Sequence, residues 1–300
     1  MLSNPTISGP TMPTSTMPDS YVFGLSNFLK YSNEDTLETS VLAERLPMHA
    51  SKTLQGIRNE QEAWILDVGA GNGKKTRLLV DFLRKEDPLF TLVDSIEPMA
   101  EQRSLLKSTL HEAQYSVART YQDTFAVVAP KLSARFHEKF PSEKPGSGVY
   151  DFACFFHSLY QFPQSNGLLP DLLQLPKLLA PDGAAIILHQ APESDSRRLR
   201  DDLFPKMFED NGPVTYEQVR ASLENAGLRL VDGGELVVPF TYSRSADSML
   251  LGRQFSFLLM NKLDLSCTAE QYRTIGAYVR KNFSGGKLRS VDKLLFAFPS

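Results

Sequence analysis

The 300-residue chain carries only two cysteines, Cys154 and Cys267. Two are too few for a disulfide framework or a cysteine-rich zinc cluster. No apolar run approaches the ~20 residues that a membrane-spanning helix needs. The first 29 residues hold no lysine or arginine and no apolar core. That argues against a secretory or mitochondrial leader and makes a reduced, cytoplasmic setting the expectation. A dominant charge is missing as well: 32 basic residues face 35 acidic ones, for a formal net charge of −3. Neither this balance nor the placement of aromatic residues suits a polyanion, so no nucleic-acid partner is expected. His49, His111, His137 and His189 show no metal-ligand spacing with one another or with the cysteines. A hydrophobic share of 42% is ample for a large core and excludes disorder throughout.

Residues 1–20 are rich in Ser, Thr, Pro and Met and read as a flexible tail. Residues 21–300 read as one domain, with no internal repeat. Residues 21–60 are mostly helical in pattern. Short apolar runs at Trp64–Val68, Phe90–Ile96, Tyr115–Ala118, Tyr150–Phe156 and Ala184–His189 then read as strands. Leu228–Val238, as a pair or one bent strand, and Leu294–Phe298 complete the set. Helical patterns fall at Lys75–Lys85, Met99–Ala113, Leu168–Leu179, Thr215–Ala226, 246–263 and 269–282. Pro181-Asp182-Gly183 marks a turn, and no element is assigned between Ala118 and Tyr150. Strand–helix alternation with near-continuous apolar strands predicts an α/β fold. Its doubly wound, mostly parallel sheet of seven strands is covered on both faces. The last two helical patterns interrupt the alternation as an insertion that can roof a site, and the N-terminal helices form a lid.

The sharpest local signal is Leu66-Asp67-Val68-Gly69-Ala70-Gly71-Asn72-Gly73. A strand enters three alternating glycines and a helix follows, which allows a tight turn and close approach of a ligand to main-chain N–H groups. Lys74 stands where a dinucleotide fingerprint places its third glycine, so a pyrophosphate reader is disfavoured. Asp67 adds a carboxylate that can reach an amino group. Glu97 ends the second strand, 24 residues after Gly73. A carboxylate there offers two acceptor oxygens to a vicinal diol.

This combination resembles the class I S-adenosylmethionine-dependent methyltransferases, whose Rossmann-like fold it implies. Tyr150-Asp151-Phe152 and Leu179-Ala180-Pro181-Asp182-Gly183 resemble the later strands of that superfamily. Glu97-Pro98-Met99-Ala100-Glu101-Gln102, Phe28-Leu29-Lys30-Tyr31-Ser32-Asn33-Glu34, the stretch Asp151–Tyr160 and the closing Lys287–Phe298 further resemble the histamine N-methyltransferase family. That resemblance implies roles residue by residue. Gly69 lies against S-adenosylmethionine, Glu97 holds its ribose, and Gln102, Thr124 and Phe156 contact the rest. Glu34 engages a substrate amine, His157 occupies a substrate-binding position and Tyr160 matches a pocket tyrosine.

Two pocket tryptophans of the histamine enzymes are absent; Arg197, Arg198 and Arg200 stand in their place. Histamine is therefore not the expected substrate. An arginine wall suits a carboxylate-bearing molecule, with Arg197 as a candidate contact, although the same run also reads as a solvated helix face. The expected function is N-methylation of a small amine or amino-acid-like metabolite, fitting a specialised or secondary metabolic role. Glu34 holds the ammonium and His157 serves as a base. Two alternatives stay open: methylation of an oxygen or carboxylate, and a silent cofactor- or partner-binding member of the fold. The sequence leaves the oligomeric state undetermined.

Overall fold

Strands that are apolar on both faces need cover on both sides, and this sheet has it. The computed structural model describes residues 34–85, 89–113, 115–139, 148–208, 212–243, 246–259, 267–283 and 285–300. The proposed tail and the segment 28–33 lie outside them. Seven strands run β1 (Glu62–Val68), β2 (Phe90–Ile96), β3 (Val117–Tyr121), β4 (Tyr150–Phe156), β5 (Leu179–Gln190), β6 (Leu228–Thr241) and β7 (Lys287–Pro299). Their order is β3-β2-β1-β4-β5-β7-β6. Strands β1 to β5 pair in parallel, and β7 lies antiparallel between β5 and β6.

Side chains alternate between two cores. Ile65, Phe152, Cys154 and Ile186 point to one face, and Leu66, Ala153, Phe155 and Ile187 to the other. Each buried Leu, Ile or Phe contributes about 1.5–3 kcal/mol. A one-residue slip would move every one of them to the wrong layer. Helices α1 (Glu34–His49), α2 (Ser51–Glu60), α3 (Lys74–Leu83), α4 (Ala100–Glu112), α5 (Phe125–Lys139), α6 (Asp195–Met207) and α7 (Tyr216–Asn225) surround the sheet. Between β6 and β7 come α8 (Ser248–Phe255), a 3-10 turn at Ser256–Leu259 and α9 (Ala269–Asn282). Capping boxes at Thr215/Gln218 and Thr268/Gln271 start α7 and α9. Helices α8 and α9 cross in backbone contact: a Cβ on Gly252 would lie 1.8 Å from the Tyr272 carbonyl oxygen, and one on Gly276 1.8 Å from that of Ser248. No described helix is long and apolar enough to cross a membrane.

Several elements differ from the sequence reading. Strand β3 begins two residues late, because Ser116 spends its hydroxyl on the Thr91 N–H before the ladder starts. Helix α5 fills the stretch between Ala118 and Tyr150, where the sequence pattern shows no element; it carries Pro130 internally. The segment 168–179 is no α-helix. Pro170 and Pro176 deny it amide donors, and it winds as a 3-10 helix over Pro170–Lys177. The Pro181–Gly183 turn is a bulge within β5: Tyr150 pairs with Leu179, yet Phe152 pairs with Ala184. Strand β6 is a single strand with a register shift between Asp232 and Gly234.

Candidate active site

Strand order reverses between β1 and β4, and their carboxyl ends open onto a cavity of about 440 Å³. That volume suits a small molecule. Its floor is the glycine loop. Gly69 has φ +71° and Gly71 φ +54°, both left-handed. A Cβ on Gly69 would lie 2.4 Å from Ser158 Cβ, whereas one on Gly71 would meet nothing within 4 Å. Gly71 therefore leaves backbone open to the cavity. Gly73 lies off the cavity wall; it caps α3 and packs against Leu106 of α4.

Two carboxylates flank the loop. Asp67 is buried, accepts from the Thr76 hydroxyl and lines the cavity. Burial, reinforced by the Glu97 charge, pushes its carboxyl up to about 7. Glu97 accepts from the Gly71 and Met99 N–H groups, each at 2.8 Å. Burial raises its pKa as well, with those two hydrogen bonds opposing. Each oxygen keeps a second lone pair for a diol. Gln102 of α4 and Thr124, which immediately precedes α5, face the same space, and Phe156 supplies an apolar wall. The buried Ser158 hydroxyl also lines it and has no hydrogen-bond partner among the described residues.

Strand β4 delivers His157 with φ +55°. A left-handed conformation at a non-glycine residue costs about 1–2 kcal/mol, so the surroundings must hold it there. They do. His157 Nε2 lies 3.1 Å from Glu38 Oε1 and Nδ1 3.3 Å from the Tyr160 hydroxyl. Glu38 is 2% exposed and also pairs with Lys75 at 2.8 Å. The Tyr160 oxygen accepts from the Gln190 N–H at 2.9 Å. An ionised Glu38 can only accept, so Nε2 donates, and in the neutral ring Nδ1 takes the Tyr160 proton. The ring thus sits in a chain Lys75–Glu38–His157–Tyr160, of which Lys75, His157 and Tyr160 line the cavity. Glu38 did not stand out in the sequence; its only signal is a position one helical turn after Glu34. Glu34 opens α1, and its side chain lies outside the described residues.

The far wall comes from α6, β7 and the insertion. Arg200, Ser290 and Asp292 line it, and Phe257 and Leu258 of the 3-10 turn roof it. Arg197 is elsewhere, paired with Asp201 at 2.5 Å and Glu217 at 3.3 Å. His189 is 1% exposed and packs edge-on against Tyr160. Burial keeps its pKa low, so it stays neutral. Among the described residues, no group of three or more His, Cys, Asp or Glu could hold a metal ion.

The glycine-loop cradle and its two buried acids sit on a fold that known proteins share. A family model described as a methyltransferase domain matches residues 42–232, more than half of the chain. Loganic acid methyltransferase, solved with SAH, superposes with a TM-score of 0.54 at 11% identity, covering 96% of this chain and 99% of the other. A protein from Bacillus halodurans, named provisionally as a methyltransferase, gives 0.50 at 13% identity, covering 84% of this chain and 100% of its own. No curated protein matches significantly, so the likeness to histamine N-methyltransferases rests on the short segments quoted above. The chain belongs to the methyltransferase-domain family and is a class I S-adenosylmethionine-dependent methyltransferase.

Proposed function

We propose that the enzyme methylates the nitrogen of a small amine or amino-acid-like metabolite. The observation that carries this reading is the buried Glu38 carboxylate behind His157 and Tyr160 in the cavity that the glycine loop floors. S-adenosylmethionine, when bound, supplies a methyl group already activated on a sulfonium. In this reading the Gly69–Gly71 backbone, Glu97, Gln102 and Thr124 hold it, Asp67 faces its amino group and Phe156 packs on it. The cradle fits: Gly71 leaves room beside open backbone, and a carboxylate waits at the end of β2.

An amine arrives as an ammonium and must lose a proton before its lone pair is available. Tyr160 takes that proton as its own passes to His157 Nδ1, and Glu38 balances the imidazolium. The Gln190 N–H steadies the Tyr160 oxygen during the transfer. Glu34, one turn before Glu38, is the second carboxylate this reading assigns to the amine.

One observation favours a different acceptor. The similar loganic acid methyltransferase is named for an acid, and Arg200 lines the cavity here. A carboxylate acceptor is already deprotonated and would not need the proton chain. The test incubates purified protein and S-adenosylmethionine with separate pools of biogenic amines, amino acids, carboxylic acids and phenols. Products are read by mass spectrometry before and after alkali. An alkali-stable N-methyl product supports the proposal, and an alkali-labile methyl ester replaces it with the second reading. Tight cofactor binding with no product from any pool counts against both.

A further inference from the structure

We infer that Arg200 reads a carboxylate on the methyl acceptor, so that the substrate class is amino acids rather than simple amines. This rests on the reading above, that a small amine-bearing metabolite occupies the cavity.

Arg200 is 3% exposed. An arginine so deeply buried is costly to leave unpaired, because its guanidinium stays charged. Yet its Nη2 has no hydrogen-bond partner among the described residues. The carboxylate of Asp201 reaches only Nε, at 3.6 Å, and that side chain is 51% exposed. Arg197, nearby on the same helix, is occupied by Asp201 and Glu217. The guanidinium faces the cavity floored by the glycine loop, and it also lines an adjoining cavity of about 300 Å³. It is therefore reachable by a ligand entering from either side. A planar donor fork with a spare N–H, inside a cavity, is the complement of a carboxylate.

The same wall supplies acceptors. Gln190 is 6% exposed and spends its Nε2 on Ser196 at 2.5 Å, while its Oε1 is buried without a partner among the described residues. Asp292, 3% exposed, adds a carboxylate. An unpaired donor beside buried acceptors matches a zwitterion, with carboxylate on Arg200 and ammonium toward Gln190 and Asp292. A decarboxylated amine would satisfy only half of this wall.

The test needs no turnover. With the cofactor cradle filled by S-adenosylhomocysteine, calorimetry compares L-histidine with histamine, L-tyrosine with tyramine, L-tryptophan with tryptamine, and further amino acids with their decarboxylated partners. The expected result is at least one pair in which the amino acid binds about tenfold or more tighter. Arg200→Met should erase that preference and Arg200→Lys retain part of it, both with unchanged affinity for S-adenosylhomocysteine. A panel with no carboxylate-preferring pair in the unaltered protein overturns the inference, whether or not the variants fold. So does an Arg200→Met variant that keeps the preference, or one that loses S-adenosylhomocysteine affinity instead. Carboxylate preference with a methyl ester as the product would leave Arg200's role standing and remove the N-methylation reading. An N-methyl product formed equally from both members of each pair would do the reverse.

Discussion

At the residue scale, the site is governed by what burial does to carboxylates. A carboxyl pushed up to about 7, as at Asp67, keeps its proton in the folded protein where the unfolded chain has released it. The folded state then binds more protons than the unfolded one, so stability falls as pH rises from about 4 to about 7 and levels off above. Asp151, raised to about 7 mainly by burial, adds to the same slope. Asp67→Asn should flatten part of that slope and raise the melting temperature at pH 8. Its second effect runs the other way. A cofactor ammonium is best met by the ionised carboxylate, so cofactor affinity should climb as pH passes about 7 in the unaltered protein and stay flat in the variant. Equilibrium binding at pH 6 and pH 8 checks it. Glu38 gives a separate prediction. Glu38→Gln removes the charge behind His157 without touching the cavity lining, so kcat should fall roughly hundredfold while cofactor affinity holds.

At the element scale, the glycine loop divides cost between folding and binding. In Gly69→Ala the new methyl meets Ser158 Cβ at 2.4 Å with φ held at +71°. Thermal melts should register a loss of about 2 kcal/mol or more. In Gly71→Ala the methyl meets nothing within 4 Å, so the fold should lose only about 1–2 kcal/mol of left-handed strain. Cofactor affinity should instead suffer, since the methyl enters the cavity. This loop was legible in the sequence because its signal is local: a strand, three glycines, a helix and an acid at a fixed spacing. The near-continuous apolar strands β2 and β4 were legible for the same reason, and both match residue for residue. What escaped was set by distant contacts. The bulge in β5 exists only in its register against β4, and the 3-10 winding over Pro170–Lys177 shares its apolar spacing with an α-helix. Helix α5 carries Phe125, Val128, Ala129 and Leu132 on its buried face, but Pro130 breaks the pattern in sequence. Arg200 and Arg197 are indistinguishable in sequence; only the folded chain sets Arg200 on the cavity wall and pairs Arg197 with Asp201 and Glu217.

At the scale of the whole molecule, one ion pair ties the sheet's edge to its centre. Asp94 of β2 is fully buried and takes Arg119 of β3 in a fork, Nε and Nη2 each at 2.5 Å, and the Tyr150 hydroxyl of β4 at 2.5 Å. Removing one partner strands buried polar groups, so Asp94→Leu should cost about 3–5 kcal/mol in urea unfolding. Asp94, Arg119 and Tyr150 do not line the cavity, so the surviving folded fraction should bind cofactor normally. The backbone crossing at Gly252 and Gly276 has a consequence of another kind. At these two positions no side chain separates α8 from α9, and the turn carrying Phe257 and Leu258 follows α8 without a break. A methyl group added at Gly276, which does not line the chamber, must therefore prise the two helices apart, and the ceiling continuous with α8 shifts with them.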